Sequence, residues 1–285
     1  AGVRGADPSE WQSATAVSTA EPLWSGPDRT VDLSPSTLQN LQDCPLRWLL
    51  ERHGGRTAGD ERSTAGSLIH ALIAQRYAGY EQLVAQLDAV WPQLPFGAEW
   101  FARNELDRHR AMLATFLTWR DDTRGALTEA GTEVAVEGIL PADGAGGPAV
   151  RVTGRVDRVE RDAEGRLVVV DVKTGKSPVT KDDAQRHAQL GLYQLAIEHG
   201  LAGAGEAPGG GRLVYLGKPA LAKNGATERE QDPLTADTAA ERLDQVHRAA
   251  AATAGPDFTA RVNDGCSHCP VRRSCPAQHP TTEPS

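Results

Sequence analysis

Two aspartates and a lysine near the middle of the chain have the types and spacing to do chemistry. Asp157 ends Gly154-Arg155-Val156-Asp157, and Asp171 and Lys173 lie in Asp171-Val172-Lys173-Thr174-Gly175. Residues two apart in a strand share a face, so Asp171 and Lys173 project the same way. If the chain turns near residues 163–164, Asp157 falls opposite residue 170 or 171, and two carboxylates and an ammonium converge at one end of a sheet. Carboxylates so concentrated are unfavourable unless a divalent cation neutralises them, and hard oxygen ligands favour Mg2+ or Mn2+. Such an ion can bind a phosphate and lower the pKa of a bound water, with the lysine orienting that water. The chemistry implied is hydrolysis of a phosphodiester. A bare D-x-K is short and common, and ordinary strand-end residues explain it more readily. The specificity lies in the whole arrangement: two strands, a tight turn, an Asp ending a buried apolar run, and Thr-Gly directly after the Lys.

This arrangement resembles the RecB-type branch of the PD-(D/E)xK nucleases, which includes the nuclease modules of the AddAB and AdnAB helicase-nucleases. That branch combines a G-x-x-D strand, a D-x-K-T-G strand, a following helix with Q-x-x-x-Y and a preceding helix with a His. Gly154 to Asp157 fits the first, Asp171 to Gly175 the second, Gln189-Leu190-Gly191-Leu192-Tyr193 the third, and His70 in Gly66-Ser67-Leu68-Ile69-His70 the fourth. The resemblance covers residues 34–276. It implies an α/β, restriction-endonuclease-like fold: a mixed central sheet flanked by helices, with an N-terminal helical part and a C-terminal Cys-rich iron–sulfur tail. His70, Asp157 and Asp171 would be metal ligands with the Val172 backbone carbonyl beside them, and Lys173 the water-orienting base. Gln189 and Tyr193, at i and i+4 on one helix face, would line the DNA side, and Glu133 or Glu137 would support the metal or a second ion. Val156, not Pro, precedes the first Asp, which matters little because the carboxylate does the coordinating. Taken alone, His70 reads as a core histidine and Tyr193 as packing, and nothing recruits His187.

The activity implied is that of a Mg2+- or Mn2+-dependent deoxyribonuclease of exonuclease type, acting on single-stranded DNA. It would be the nuclease module of a helicase-nuclease in double-strand-break repair, fused to or complexed with a helicase motor. A catalytically silent DNA-binding or scaffold module of such a complex is the alternative, disfavoured by the presence of all six motif residues. A standalone exonuclease is a third.

The four cysteines fall into one pattern, Cys44 alone and then Cys266, Cys269 and Cys275, which suggests a single four-thiolate site. A [4Fe–4S] cluster and a structural zinc both suit thiolates. Zinc sites usually draw on two close pairs, whereas this is one plus three. In the RecB-like nucleases and their CRISPR-associated relatives, one-plus-three spacing with Pro closely following resembles the iron–sulfur staple, and Cys44-Pro45, Cys269-Pro270 and Cys275-Pro276 repeat that form. Disulfides are disfavoured in a chain read as cytoplasmic. The cluster would hold the N-terminal helices to the C-terminal tail, where Arg47, Arg52, Arg272 and Arg273 face DNA phosphates or are simply solvated.

The elements that must position these groups follow from the hydrophobic period. Ser34-Pro35 reads as a helix start, interrupted by Cys44-Pro45 and resumed from Leu46 to Arg52, ending near Gly54-Gly55. Helices are predicted over 64–79, carrying His70, and over 97–121. Alternation over 133–139, a Pro/Gly loop at 141–148, and strands at 150–160 and 166–173 follow, the last apolar enough to be buried on both faces. One helix is predicted from Lys181 to His199, a Gly-rich loop over 202–211, a strand at 212–216 and a helix over 233–254.

At 285 residues and 39% hydrophobic, the chain can bury a core. No apolar run approaches the roughly 18 residues of a membrane span, and the N-terminus lacks a secretory signal, so the reading is cytoplasmic with no membrane partner. The net charge of −8 argues against gripping nucleic acid by bulk field, but a narrow metal-containing channel needs only local positive potential. Only five of the 30 basic residues are Lys, and Lys173, Lys176 and Lys181 lie within nine positions. Residues 1–30 read as linker, 31–125 as a helical part, 131–255 as the nuclease core, 256–276 as the cluster-binding tail and 277–285 as a flexible tail. The polar ends and the absence of an initiating Met suggest a piece of a longer protein.

Overall fold

The computed structural model describes residues 19–26, 28–53, 61–76, 79–142, 147–217 and 225–278. Its centre is a six-stranded mixed sheet in which β1 (Thr30–Leu33), β3 (Ala149–Arg161), β4 (Leu167–Lys173), β5 (Pro208–Tyr215) and β6 (Thr227–Gln231) lie in that order. β2 (Thr128–Ile139) pairs antiparallel with β3 along nearly its whole length. The other edge of β3 is shared: β1 takes residues 149–152 in parallel, and β4 takes 158–161 antiparallel. Thr153 to Asp157 therefore meet no strand on that edge, and the sheet opens there.

β4 reads LVVVDVK and is buried along all but its last residue, as a strand covered on both faces should be. Leu167 and Val169 face one hydrophobic layer, Val170 and Val172 the other. The first layer is built with α1 (Pro35–Asp43), α7 (Ala188–Glu198) and α8 (Ala236–Ala252). The second uses α3 (Glu61–Ile73), α4 (Tyr80–Val90) and the 25-residue α5 (Glu99–Thr123), whose Phe116 and Trp119 are fully buried.

The helix start at Ser34-Pro35 forms as expected, with the Ser34 hydroxyl accepting from the Thr37 amide. Cys44 ends α1 and caps α2 (Pro45–Arg52), so the interruption at Cys44-Pro45 is real. The expected end of α2 at Gly54-Gly55 and part of the 141–148 loop lie outside the described residues.

Several expectations need correction. α3 ends at Ile73 rather than 79, and α4 follows as a separate helix. β1 lies within the stretch expected to be helical, and β6 forms between the predicted 212–216 strand and 233–254 helix, where the sequence pattern marks no element. Gly209 to Gly211 belong to β5, not to a loop. The missing side chain at Gly211 admits Leu190 of α7, which a Cβ would meet at 3.2 Å. The helix expected from Lys181 to His199 is broken into α6 (Lys181–Gln185) and α7.

Candidate metal and phosphodiester site

The β3–β4 register pairs Arg158 with Val170, which sets Asp157 across from Asp171, one of the two partners the hairpin reading allowed. The Val172 amide donates to Asp157 Oδ2 at 2.8 Å, and His70 Nδ1 of α3 lies 3.3 Å from Asp157 Oδ1. Lys173 Nζ lies 2.7 Å from Asp171 Oδ2 as an ion pair. Gln189, one residue into α7, joins the two: its Nε2 donates to Asp171 Oδ1 at 2.6 Å and its Oε1 accepts from Lys173 Nζ at 3.1 Å. His70, Asp157, Asp171, Lys173 and Gln189 are thus brought together. Tyr193 is buried and donates its hydroxyl to the Arg155 carbonyl at 2.6 Å, in the unpaired stretch of β3.

Two glycines let the layers close on this site. A Cβ at Gly154 would lie 2.9 Å from Pro35 Cδ and 3.3 Å from Tyr193 Cε1, and one at Gly66 3.1 Å from Thr174 Oγ1. Glu133 lies across from Asp157, since its neighbours pair Thr132 with Arg158 and Val134 with Val156. Its φ is +50°, unusual for a residue with a side chain, and its Oε2 is 3.5 Å from Arg155 Nη1. Glu137 is exposed and opposite Thr153, further from the aspartates.

The break between α6 and α7 aims Gln189, and it is held from elsewhere. Gln231 Nε2 of β6 reaches the carbonyls of Ala184, Gln185 and His187 at 3.0–3.1 Å, its own oxygen taking the Gln194 amide at 2.9 Å. Arg242 of α8 reaches the Gln185 carbonyl at 2.6 Å. Released helix carbonyls are satisfied by side chains remote in sequence, so the 3.6-residue period gave no warning.

Burial and then the charge of Asp157 push the Asp171 carboxyl above its ordinary value, opposed by the ammonium of Lys173. Burial pulls His70 and Lys173 down, but their carboxylate partners outweigh it and both end raised. Burial, then Lys173 and Arg242, take His187 down to about 4, and its buried Nδ1 has no partner. Burial first, and then the two aspartates, push Tyr193 up.

Among the described residues no three His, Cys, Asp or Glu side chains stand ready as a metal cage. Asp171 is paired with Lys173, and Asp157 lies against His70. Asp171 Oδ2 is buried, and its one close partner among the described residues is the Lys173 ammonium. A buried carboxylate oxygen so placed suits a hard divalent cation.

The sequence matches the family model of the PD-(D/E)XK nuclease superfamily over residues 32–276. The chain belongs to that superfamily. No curated protein matches it. Among solved structures it is similar to the protein SSO0001, at 17% identity over 95% of this chain and 93% of that one with a TM-score of 0.40, a likeness too loose to carry argument.

Away from the carboxylate end, the superfamily domain carries a second cluster. Cys44, Cys266, Cys269 and Cys275 line one cavity of about 20 Å3, together with Arg47, Arg261 and Arg272. Cys44 Sγ accepts from the amides of Arg47 and Arg261 at 3.4 and 3.5 Å, and Cys266 Sγ from the Asn263 amide at 3.3 Å. Amides directed at sulfur tune metal–sulfur centres where one is bound. Of the arginines expected near DNA, Arg47 is paired with Glu51 at 2.7 Å, Arg52 lies over the Trp48 ring at 5.8 Å, and Arg272 and Arg273 are exposed. No helix among the described residues is long and apolar enough to cross a membrane.

Proposed function

We propose that this chain is a divalent-metal-dependent deoxyribonuclease of the RecB-like branch, acting on single-stranded DNA as the nuclease module of a helicase-nuclease in double-strand-break repair. The observation that carries this reading is the convergence of His70, Asp157, Asp171, Lys173 and Gln189 where β3 loses its neighbour.

In this reading His70, Asp157, Asp171 and the Val172 carbonyl hold Mg2+ or Mn2+, which when bound supplies a Lewis acid for the scissile phosphate and a more acidic water. Lys173, released from Asp171, orients that water and offsets the charge growing on phosphate oxygen. Gln189 keeps Asp171 and Lys173 in register. Tyr193 serves by holding the Arg155 carbonyl, and so the backbone leading to Asp157, rather than by touching DNA. Glu133 is the better placed of the two glutamates to support an ion.

The four thiols would hold a [4Fe–4S] cluster that fastens α1 and α2 to the C-terminal tail. The donor set is four sulfurs, with amides already directed at two of them.

Purified without air, the protein should carry iron and sulfide and should cleave labelled single-stranded DNA with Mn2+ or Mg2+, and Asp171→Ala should not. Zinc without iron would replace the cluster assignment. An inactive protein with a full metal complement would overturn the nuclease reading for the isolated chain in favour of a silent DNA-binding module.

A further inference from the structure

We propose that Arg108, on α5, is a positioning residue for Lys173: it grips the Thr174 carbonyl and so fixes the backbone from which the lysine side chain is aimed. The inference rests on the nuclease reading.

β4 ends at Lys173, and the chain then leaves the sheet. The Lys173 carbonyl is still tied, accepting from the Leu216 amide at 2.8 Å. The next carbonyl, that of Thr174, has lost its strand partner, and Arg108 Nη2 donates to it at 2.6 Å. The other amino group, Nη1, donates to Glu105 Oε2 at 2.9 Å, one turn earlier on the same helix. Glu105 is itself only 6% exposed, and the His109 ring beside it packs 5.1 Å from that of Trp91 with Nδ1 2.6 Å from the Glu105 carbonyl. The guanidinium is thus held at both amino groups by a well-packed helical turn.

That turn is not free to drift. Arg124, which caps the far end of α5, donates to the buried Glu160 of β3 at 2.7 Å, beside the hairpin turn. The helix is thus tied to the sheet near its middle, through Arg108, and again at its C-terminal end, through Arg124. Two more elements press on the same residue: Gly66 of α3 lies against the Thr174 hydroxyl, and a Cβ at Gly217 would come within 2.2 Å of the Thr174 oxygen. The carbonyl has one place to be.

Lys173 must reach Asp171 Oδ2 at 2.7 Å and Gln189 Oε1 at 3.1 Å from the adjoining backbone. A displacement of about 1 Å in a catalytic group lowers turnover on the order of a hundredfold. A direct phosphate contact by Arg108 is the competing role, since each amino group keeps a second N–H, and the split between KM and kcat separates the two.

The test is steady-state cleavage of a single-stranded oligonucleotide with Mn2+ by wild type, Arg108→Ala, Arg108→Lys and Gly217→Ala, alongside amide hydrogen exchange of the peptide spanning residues 174–176. Arg108→Ala should lower kcat about a hundredfold with KM within roughly threefold of wild type, and exchange over 174–176 should quicken. Arg108→Lys should recover part of both losses. Gly217→Ala, which pushes the same carbonyl from the other side, should lower kcat without touching Arg108, and with Arg108→Lys it carries the test if Arg108→Ala does not fold. A KM raised tenfold at unchanged kcat would make Arg108 a phosphate contact and overturn the proposal, as would unaltered exchange. A wild-type protein that does not cleave would remove the nuclease reading, while the exchange experiment would still decide whether Arg108 holds the carbonyl.

Discussion

At the carboxylate end of the sheet each functional side chain is held by strand backbone or by another side chain of the site: Asp157 by the Val172 amide, Asp171 by Gln189, Lys173 by Asp171 and Gln189. The backbone beneath them is fixed by strand register. In the cysteine cavity the four thiols come from a helix cap and two short 3-10 turns, and backbone amides donate to two of them, Cys44 and Cys266. The sheet builds the first region before any ion arrives, whereas on the proposed reading the second depends on what binds it. Losing an ion should cost the first its activity and the second its structure.

The largest expected effect lies in the thiol region. Cys44 and Cys266 are more than two hundred residues apart, so a centre joining them closes a long loop, worth about 5 kcal/mol by unfolded-state entropy. Cys275→Ser, or chelation under reducing conditions, should lower the thermal midpoint by roughly 10 °C or more in calorimetry, at about 2–4 °C per kcal/mol. An unchanged midpoint would mean the tail holds itself, and the comparison would fail. Next comes Asp157→Ala, expected to reduce cleavage on the order of a thousandfold, about 4 kcal/mol of transition-state stabilisation, with thermal stability near wild type. A variant that melted early instead would show the carboxylate end to be held by its own charges rather than by the sheet.

Much of this contrast was legible in the sequence. The alternating strand at Gly154 to Asp157, the turn at Asp162 to Gly165 and the apolar run into Asp171 together specify the hairpin but leave its register open between residues 170 and 171, which the Arg158–Val170 pair settles. The helix junction at Cys44-Pro45 was equally plain, since proline sets both an end and a start. What escaped was set by partners remote in sequence. The α6–α7 break depends on Gln231 and Arg242, over forty residues downstream, and Arg108 meets the catalytic strand only in three dimensions. β1 and β6, of four and five residues, are too short to show a period, and three consecutive glycines in β5 read as a loop until Leu190 is seen lying on Gly211.

A third prediction separates the two regions by pH. His187 caps α7 just before Gln189, and its folded-state pKa of about 4 lies well below the ordinary 6.5. Between those values the unfolded chain binds the proton and the folded one does not, so stability is full above pH 6.5 and falls as pH drops toward 4. At about 1.4 kcal/mol per unit the loss is on the order of 3 kcal/mol. Denaturant melts of wild type and His187→Gln across that window should diverge, with the variant the flatter. Parallel curves would mean the imidazole finds water or a partner when it charges.

The smallest effect is the most exacting test of whether the regions are separate. Gly154→Ala places a methyl 2.9 Å from Pro35 Cδ and 3.3 Å from Tyr193 Cε1, and overpacking of this kind costs about 1–3 kcal/mol. Tyr193 holds the Arg155 carbonyl two residues before Asp157, so kcat should fall roughly tenfold with the strand's displacement. Pro35 also opens α1, a helix of nine residues that ends at Cys44. If α1 is rigid, a push at Pro35 travels to the thiol cavity, and the variant will lose its metal–sulfur centre faster to a chelator than wild type does. If the push is absorbed within the first turn, metal retention will match wild type while cleavage drops, and the carboxylate end can be perturbed without disturbing the staple.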